Sequence, residues 1–343
     1  MKKHFILLLT LVFFTAIAAK ATNNADSSIF YLQKAKESKE ARRIWDAEKY
    51  FQKSIDFNPE NEAARLEFAN YYCEQRKYNF ALQQFNNLLQ KNPNHATALP
   101  KILDLSFVLR KWTDVISYAI RITSANIKVD KLNYMVAKSH FEEENYGQAR
   151  KYLLLQIAET PTHKETVTLL GKVYVEMSQY AEAINMYKKT LELNPNDFEL
   201  LYEIGLLYSA QSNEREAVKY FELAAEKGIK QDLVFLENLG MSYLEFNIPK
   251  GVEVLNKVLA KKPGDVEILT QIAQAYYKSE NFAVAYDLYS KIFENDNTNV
   301  KALYMSGVAM IKKGDKTRGA QICDKAISLD SKLGTLRSQK SVL

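Results

Sequence analysis

Histidine and cysteine, which often bind metals or act in catalysis, are scarce in this chain of 343 residues. Beyond the N-terminal segment the histidines are His95, His140 and His163, and no two of them have the i, i+4 spacing that would let them share a metal ion on one helix. The sequence contains no Cys-x-x-Cys pair and no acidic metal-binding loop. We therefore expect no metal site, and we interpret His95 and His163 as turn residues and His140 as a packed ring.

Motifs that position other catalytic groups are missing as well. Gly171-Lys172 is the dipeptide that ends a phosphate-binding loop, but no glycine-rich loop precedes it. The acidic run Glu142–Glu144 is typical of a solvated turn, and no Gly-x-Ser-x-Gly sequence occurs. The sequence predicts a chain without enzymatic activity and without a cofactor.

The composition favours long helices. Apolar residues make up 47% and charged residues 25% of the chain, which are ordinary values for a globular protein and exclude a disordered or integral membrane protein. Only 7 prolines and 11 glycines interrupt it, so a protein of many short strands and turns is excluded. Two cysteines are too few for a disulfide-stabilised scaffold.

Residues 1–21 have the three-part order of a secretory signal peptide. Two lysines precede an apolar run over residues 5–19, and Ala19 and Ala21 form the small-x-small pattern of a cleavage site. The run is shorter than the ~20 residues that cross a bilayer as a helix, which favours cleavage. A cut after Ala18 and an uncleaved anchor are the alternatives.

Cleavage would change the net charge and the membrane prediction. It removes three lysines and no acid, which lowers the formal charge from +5 to +2. A nearly neutral chain lacks the basic surface that nucleic-acid binding requires. No later apolar run approaches bilayer length, so we expect no direct membrane span after cleavage. The sequence predicts an exported protein of bacterial type, periplasmic or associated with the outer membrane.

The rest of the chain repeats with a period of 34 residues. Five prolines are separated by 34 or 68 residues: Pro59, Pro93, Pro161, Pro195 and Pro263. One mostly small position recurs without a gap: Ala47, Ala81, Val115, Ala149, Ala183, Ala217, Gly251, Ala285 and Gly319. A second precedes each of these by twelve residues: Ala35, Ala69, Leu103, Ala137, Gly171, Gly205, Gly240 (one residue late), Ala273 and Gly307. A fixed period of this length indicates a repeat architecture.

Each repeat is predicted to form two helices. Gly171 and Tyr174 share one face of a first helix, and Ala183 and Tyr187 share one face of a second. Small residues let two helix backbones approach closely, while the rings fill the space around the crossing. Pro195 closes the unit, because the residue before a proline avoids helical backbone. In the seventh repeat the late Gly240 predicts a longer entry and a shorter inner turn, at residues 247–250.

With this order of small, aromatic, small, aromatic and proline positions, residues 28–333 resemble the tetratricopeptide repeat family. The resemblance implies an all-α fold, a right-handed α-solenoid (superhelix) of about nine 34-residue helix-turn-helix repeats. The repeats would begin near residues 28, 62, 96, 130, 164, 198, 232, 266 and 300. A short lead at residues 22–27 would precede the solenoid, and residues 334–343 would form a tail or a short capping helix.

The two cysteines lie in the second and ninth of these repeats. Those repeats do not touch in a solenoid, so we expect no disulfide between Cys73 and Cys323. Cys323 occupies a core aromatic position and is predicted to be a small buried side chain. Cys73 follows the core residue Tyr72 and is predicted to face the groove.

In the tetratricopeptide family the first helices line a concave groove, mainly through the fifth, ninth and twelfth positions of each repeat. On this chain those positions give the candidate binding residues Asn70, Asp104, Phe107, Tyr134, Lys138, Phe141, Lys172, Tyr202, Glu237, Met241, Gln274, Tyr277 and Tyr304. Aromatic side chains with polar neighbours suit the centre of a protein interface. The alternative for each ring is that it packs against the next repeat.

One binding mode of the family is not expected here. The basic and asparagine side chains that grip a C-terminal carboxylate do not occur in consecutive repeats, since Asn70 is followed by Lys101, then Lys131 and Met135. Two functions remain. The first is a non-enzymatic interaction scaffold of the bacterial cell envelope that binds a partner protein or peptide segment in the groove. The alternative is a polysaccharide-binding or export-associated accessory protein, and fold alone does not decide between them.

Overall fold

Paired helices account for nearly all of the chain that the structure describes. The computed structural model describes residues 24–335. The predicted signal peptide with its cleavage residues Ala19 and Ala21, and the tail from residue 336, lie outside the described residues. No strand occurs within the described range, and the predicted all-α fold is confirmed. Residues 24–27, predicted as part of a lead, are already helical, so the first helix begins before residue 28.

Nine helix pairs follow one another along residues 24–335. The first helices of the pairs are α1 (24–40), α3 (Glu62–Glu74), α5 (Ala98–Val108), α7 (Leu132–Glu142), α9 (Lys164–Glu176), α11 (Phe198–Ala210), α13 (Leu233–Leu244), α15 (Val266–Lys278) and α17 (Val300–Lys313). The second helices are α2 (Ile44–Phe57), α4 (Tyr78–Lys91), α6 (Trp112–Ser124), α8 (Tyr146–Glu159), α10 (Tyr180–Leu193), α12 (Glu214–Glu226), α14 (Ile248–Leu259), α16 (Phe282–Asn295) and α18 (Lys316–Leu329). A short 3-10 helix, Ser331–Leu333, follows α18.

The chain divides into two compact units, an N-terminal unit that ends at Val173 and a C-terminal unit that begins at Tyr174. Helices in each unit pack mainly against their neighbours in sequence. In the N-terminal unit α4 lies between α3 and α5, and in the C-terminal unit α12 lies between α11 and α13. One helix pair cannot bury its own apolar face, so each pair depends on the next for its stability.

Small residues lie where the two helices of a pair cross. The two sets of positions predicted from the 34-residue period are buried in every repeat. A Cβ added to Gly319 would lie 2.7 Å from the carbonyl oxygen of Gly307. A Cβ added to Gly251 would lie 3.0 Å from the carbonyl oxygen of Gly240. The backbones therefore approach too closely at these crossings for a side chain, which confirms the predicted role of the small residues.

Aromatic rings fill the space around the crossings. In the N-terminal unit Phe51 stacks on Phe68 with 5.2 Å between ring centroids, and both rings are fully buried. Phe85 is buried at the equivalent position one repeat later. In the C-terminal unit Tyr187 and Phe221 take this position. Burial of each such side chain stabilises the fold by about 1.5–3 kcal/mol.

Asparagine and aspartate side chains cap half of the eighteen α-helices. The Asn61 side-chain oxygen accepts the backbone N–H of Ala64 at 3.0 Å and so caps α3. The same cap is formed by Asn145, Asp197, Asp232, Asn247, Asp265, Asn281, Asn299 and Asp315. Each cap satisfies one of the N–H groups that a helix start leaves without a partner.

The turn inside eight of the nine repeats contains one residue with left-handed backbone. These residues recur every 34 residues with one omission: Arg42, Arg76, Arg110, Glu144, Ser178, Ser212, Glu280 and Gly314. Around Arg76, the N–H of Lys77 donates to the Tyr72 carbonyl at 2.8 Å and the N–H of Arg76 donates to the Cys73 carbonyl at 3.0 Å. This is the Schellman arrangement, which ends a helix and reverses the chain. Seven of the eight positions carry a side chain, at a cost of about 1 kcal/mol each.

The seventh repeat is the one that omits the left-handed residue. Here the N–H of Asn247 donates to the carbonyl of Tyr243 at 2.7 Å, four residues back rather than five. The predicted shorter inner turn is wrong, because residues 245–247 separate α13 from α14, the same three-residue length as residues 75–77 between α3 and α4. Its predicted location is wrong as well. Residues 248–250 lie in the first turn of α14, where Pro249 is tolerated because that turn leaves its N–H groups without helical partners.

Candidate functional site

The three histidines stabilise the fold rather than form a cluster. The Nδ1 atom of His95 accepts the N–H of Ala98 at 3.2 Å, at the start of α5, and His163 accepts an N–H in the same way at the start of α9. His140 stacks on Tyr152 with 5.7 Å between ring centroids. Burial lowers the pKa of His140, and the nearby Glu143 carboxylate opposes that change. The predicted roles of all three, two turn residues and one packed ring, are confirmed.

Acidic side chains do not assemble into a reactive centre in the described range. Within residues 24–335 no group of three or more histidine, cysteine, aspartate or glutamate side chains is arranged to hold a metal ion. In the run of three glutamates, Glu142 pairs with Lys138 at 2.5 Å, and all three side chains are exposed. Among the helices of this range, none is long and apolar enough to cross a membrane.

The two cysteines differ in burial. Cys323 is 3% exposed and belongs to the core of the ninth repeat, as predicted. Cys73 is half-buried and packs against the core of the N-terminal unit. Burial raises the pKa of the Cys73 thiol, and Lys101 opposes that change. Neither thiol forms a disulfide.

The predicted wall of the N-terminal unit consists of Asn70, Asp104, Phe107, Tyr134, Lys138, Phe141 and Lys172, and none of them is buried. Asp104 and Lys172, at the ninth position of their repeats, are the most exposed of the set. Partial burial raises the pKa of the Asp104 carboxyl, and Lys101 opposes that rise. The ammonium of Lys138 lies 5.2 Å from the centroid of the Phe141 ring. The ninth position therefore carries a charged group in the third, fourth and fifth repeats, at Asp104, Lys138 and Lys172.

Aromatic rings link three neighbouring repeats of the N-terminal unit. The Phe107 ring meets Trp112 edge-on at 5.7 Å and Tyr134 at 6.4 Å. Tyr134 in turn meets His163 edge-on at 5.3 Å. Burial raises the pKa of the Tyr134 hydroxyl, and Glu165 adds to that rise. Each of these rings is partly exposed, so the row combines packing between repeats with an accessible surface.

In the C-terminal unit, two rings predicted to line the wall make core contacts. Tyr304 is only 3% exposed and lies in the core cluster of the ninth repeat, so its placement on the wall is wrong. The Tyr202 ring packs against the rings of Phe221 and Phe235, with 5.4 Å and 5.6 Å between ring centroids. Its hydroxyl accepts a hydrogen bond from the Asn238 side chain at 2.6 Å. Both occupy the fifth position of a repeat. The alternative, that rings at this position pack between repeats, is correct for Tyr304, while Tyr202 packs between repeats and is still partly exposed.

The remaining wall candidates of the C-terminal unit are Glu237, Met241, Gln274 and Tyr277. Glu237 forms an ion pair with Lys262 at 3.1 Å. Tyr277 meets Phe282 edge-on at 5.3 Å, and burial raises the pKa of its hydroxyl. Met241 and Gln274 both line a cavity of about 710 Å³. A cavity of this size can hold several side chains of a bound segment.

Sequence reasoning missed the charged residues around this cavity. Glu214, Glu245, Glu267 and Lys278 line it together with Met241 and Gln274. The sequence could have indicated part of this set. Residues 267, 271, 274 and 278 are spaced by four, three and four, so they share one face of α15. No spacing pattern indicated Glu214 and Glu245, because they lie at the start of α12 and in the turn after α13.

Comparison with known protein families agrees with the repeat geometry. The model of the TPR repeat family matches residues 171–212. The match covers most of the fifth repeat and the start of the sixth, and the nine helix pairs extend the same geometry along residues 24–335. The chain therefore contains the tetratricopeptide repeat, at residues 171–212. Repeats of this kind form scaffolds for protein–protein interaction, and they are generally not catalytic.

The curated relatives of this tetratricopeptide-repeat (TPR) protein are longer than it is. Cellulose synthase operon protein C of Pseudomonas fluorescens (strain SBW25) is 24% identical over 305 residues, which cover 83% of this chain and 24% of that protein. A TPR repeat-containing protein of Methanocaldococcus jannaschii is 22% identical over 289 residues, which cover 77% of this chain and 49% of that protein. The TPR protein thus spans from about a quarter to about half of their length.

Solved structures of other TPR proteins are similar to parts of this one. The C-terminal part of a TPR repeat-containing protein from Cytophaga hutchinsonii is 17% identical, with a TM-score of 0.49, and the match covers 68% of this chain and 95% of that one. YrrB, a TPR protein with an unusual peptide-binding site, is 20% identical, with a TM-score of 0.46 and coverage of 52% and 92%.

Proposed function

We propose that this TPR protein is a non-enzymatic scaffold that binds a partner protein, or a peptide segment of one, against its first helices. The observation that carries the proposal is the cavity of the C-terminal unit, which two predicted wall residues, Met241 and Gln274, line together. Apolar and polar side chains meet there in a concave site, which is the combination that recognition of a peptide segment requires.

The N-terminal unit supplies a second part of the proposed surface. Its exposed ninth-position residues, Asp104 on α5 and Lys172 on α9, carry opposite charges, and the partly exposed rings of Phe107 and Tyr134 lie on the first helices α5 and α7. Rings of this kind supply binding energy, while exposed charges set the orientation of the partner and exclude others.

The proposed site of action is the bacterial cell envelope, with the protein exported and either periplasmic or associated with the outer membrane. Two observations support this location. Residues 1–21 have the composition of a secretory signal. The relative from Pseudomonas fluorescens is named as the product of a cellulose synthase operon.

Affinity capture with charge-altered variants tests the scaffold proposal. Asp104→Arg changes the wall of the N-terminal unit, and Gln274→Arg changes the cavity of the C-terminal unit. Because both side chains are exposed, neither change should alter folding by more than about 0.5 kcal/mol. We expect that proteins captured by the unchanged chain from the native envelope are lost from at least one of these variants, as measured by mass spectrometry.

Gln321→Arg is the matched control, because Gln321 is an exposed glutamine on a second helix, α18. This variant should capture the same proteins as the unchanged chain. Identical sets of proteins from the unchanged chain, both wall variants and the control would contradict the proposal.

The alternative function, a cell-envelope polysaccharide-binding or export-associated accessory protein, is favoured by the name of the Pseudomonas fluorescens relative. The partly exposed rings of Phe107 and Trp112 are the groups that would contact sugar faces. Titration with cello-oligosaccharides, followed by tryptophan fluorescence, separates the two functions. A saturable change that Phe107→Ala abolishes would favour the alternative, and we expect none.

A further inference from the structure

The cavity of the C-terminal unit is unusual in its charge. Three carboxylates line it, those of Glu214, Glu245 and Glu267, against one ammonium group, that of Lys278. The Nζ atom of Lys278 lies 3.7 Å from the Oε1 atom of Glu245. Because both side chains are more than half exposed, water weakens the attraction between them. Within residues 24–335, Glu214 and Glu267 form no ion pair. The lining therefore carries an excess of negative charge.

One of the two oxygens of the Glu214 carboxylate lacks a hydrogen-bond donor. The Oε1 atom of Glu214 accepts a hydrogen bond from the Ser209 hydroxyl at 3.1 Å. Its Oε2 atom is buried and has no partner within the described part of the chain. Buried polar oxygens are almost always hydrogen-bonded in folded proteins, because leaving a donor or acceptor unmet inside a protein costs free energy. The Glu214 carboxylate can therefore accept a further hydrogen bond.

Apolar side chains complete the lining. Met241, Phe246, Ile248 and Pro249 line the same cavity as the carboxylates. Long basic side chains suit such a lining, since their methylene stems pack on apolar surface while the charged end reaches a carboxylate. Arg215, which follows Glu214 in the chain, does not line this cavity, and its guanidinium lies 4.8 Å from the centroid of the Phe246 ring.

We propose that this cavity binds an arginine side chain of a partner's peptide segment, with the guanidinium donating to the unpartnered oxygen of Glu214. The inference rests on the proposed scaffold function and names the chemistry of the segment. A guanidinium is the best fit because it has five donors in a flat fork, is always charged, and loses less hydration energy than an ammonium group. Glu245 and Glu267 supply the further charge that favours a cation over a neutral side chain.

A peptide titration of the purified chain tests the inference. The probes are acetyl-Gly-Ala-Arg-Ala-Gly-amide and the same peptide with citrulline, which has nearly the shape of arginine but no charge. The methyl signal of Met241 in a chain with ¹³C-methyl methionine reports occupancy, and a Met241→Leu variant assigns it. We expect the arginine peptide to shift this signal saturably, and the citrulline peptide to bind about tenfold more weakly or worse.

Variants of the lining provide the second arm of this test. Glu214→Gln and Glu267→Gln should each weaken arginine-peptide binding several-fold, because each removes one negative charge. Glu253→Gln, on an exposed position of α14 outside the cavity, should leave binding unchanged. If Glu214→Gln does not fold, Glu267→Gln and the citrulline peptide still test whether the cavity binds arginine through its negative charge.

Equal affinity for the two peptides, or no shift of the Met241 signal at millimolar peptide, would overturn the arginine site. Either result would leave the scaffold proposal standing if envelope proteins are still lost from the Gln274→Arg variant. Conversely, peptide binding without any captured partner would overturn the scaffold role and keep the site. The two proposals therefore fail separately.

Discussion

Phe221→Ala is expected to destabilise the C-terminal unit by about 3–5 kcal/mol, since it removes a fully buried ring and leaves a cavity. The ring packs against Tyr202 and Phe235 and lies directly over Gly205. Each neighbour loses contacts when the ring is removed. Urea unfolding followed by circular dichroism measures the change.

Substitution of Gly205 gives a second test of the same contact. A Cβ added there would lie 2.5 Å from the Phe221 ring, so Gly205→Ala should destabilise the unchanged chain by about 1–3 kcal/mol. In the Phe221→Ala background the clash is gone, and alanine is favoured over glycine inside a helix by about 1 kcal/mol. The same substitution should then stabilise the protein. An equal, destabilising effect of Gly205→Ala in both backgrounds would show that the two residues do not meet at this crossing.

Ala149→Leu is expected to destabilise the N-terminal unit by about 1–3 kcal/mol. Ala149 is fully buried in α8, which packs against α7, and a larger side chain must push the two helices apart. Thermal and urea unfolding curves of the variant and the unchanged chain measure the loss.

Ala158→Leu is the matched control, because Ala158 is an exposed alanine on the same helix. It should change the free energy of unfolding by no more than about 0.5 kcal/mol. Full tolerance of leucine at residue 149 would mean that the 34-residue period marks something other than helix crossings.

The sequence was sufficient to predict the helix pairs and their crossings. The physical reason is that close approach of two helices tolerates only small residues, so each crossing leaves a mark at a fixed place in every repeat. Gly307 and Gly319 show this directly, because a Cβ on either would meet backbone atoms of the facing helix at less than 3 Å. Even the third repeat, which departs most from the pattern, keeps Val115 buried at its crossing.

Wall positions could be predicted only in part. Tyr134, Tyr202 and Tyr304 occupy equivalent positions, yet Tyr134 is partly exposed and Tyr304 is buried. The difference comes from what the neighbouring elements present. Phe235, from the next repeat, packs on the ring of Tyr202, while Tyr304 shares a core cluster with Leu333 from the 3-10 helix. A periodic pattern describes one repeat at a time and does not contain this information.

The cavity was not predictable for a related reason. It forms around the inner turn of the seventh repeat, which differs from the other inner turns in having no residue with left-handed backbone. Its charged lining, however, comes from several different elements, among them Glu214 at the start of α12 and Lys278 at the end of α15. No spacing rule connects residues that meet only after three repeats have packed together.

Site-specific photo-crosslinking in the native cell tests the central claim, that a partner binds against the first helices. A photoreactive amino acid is placed at Gln274, which lines the cavity, or at Lys257, an exposed position on the second helix α14. The predicted result is a discrete crosslinked adduct from position 274 and none from position 257. Adducts of equal yield from both positions, or none from position 274, would contradict the account.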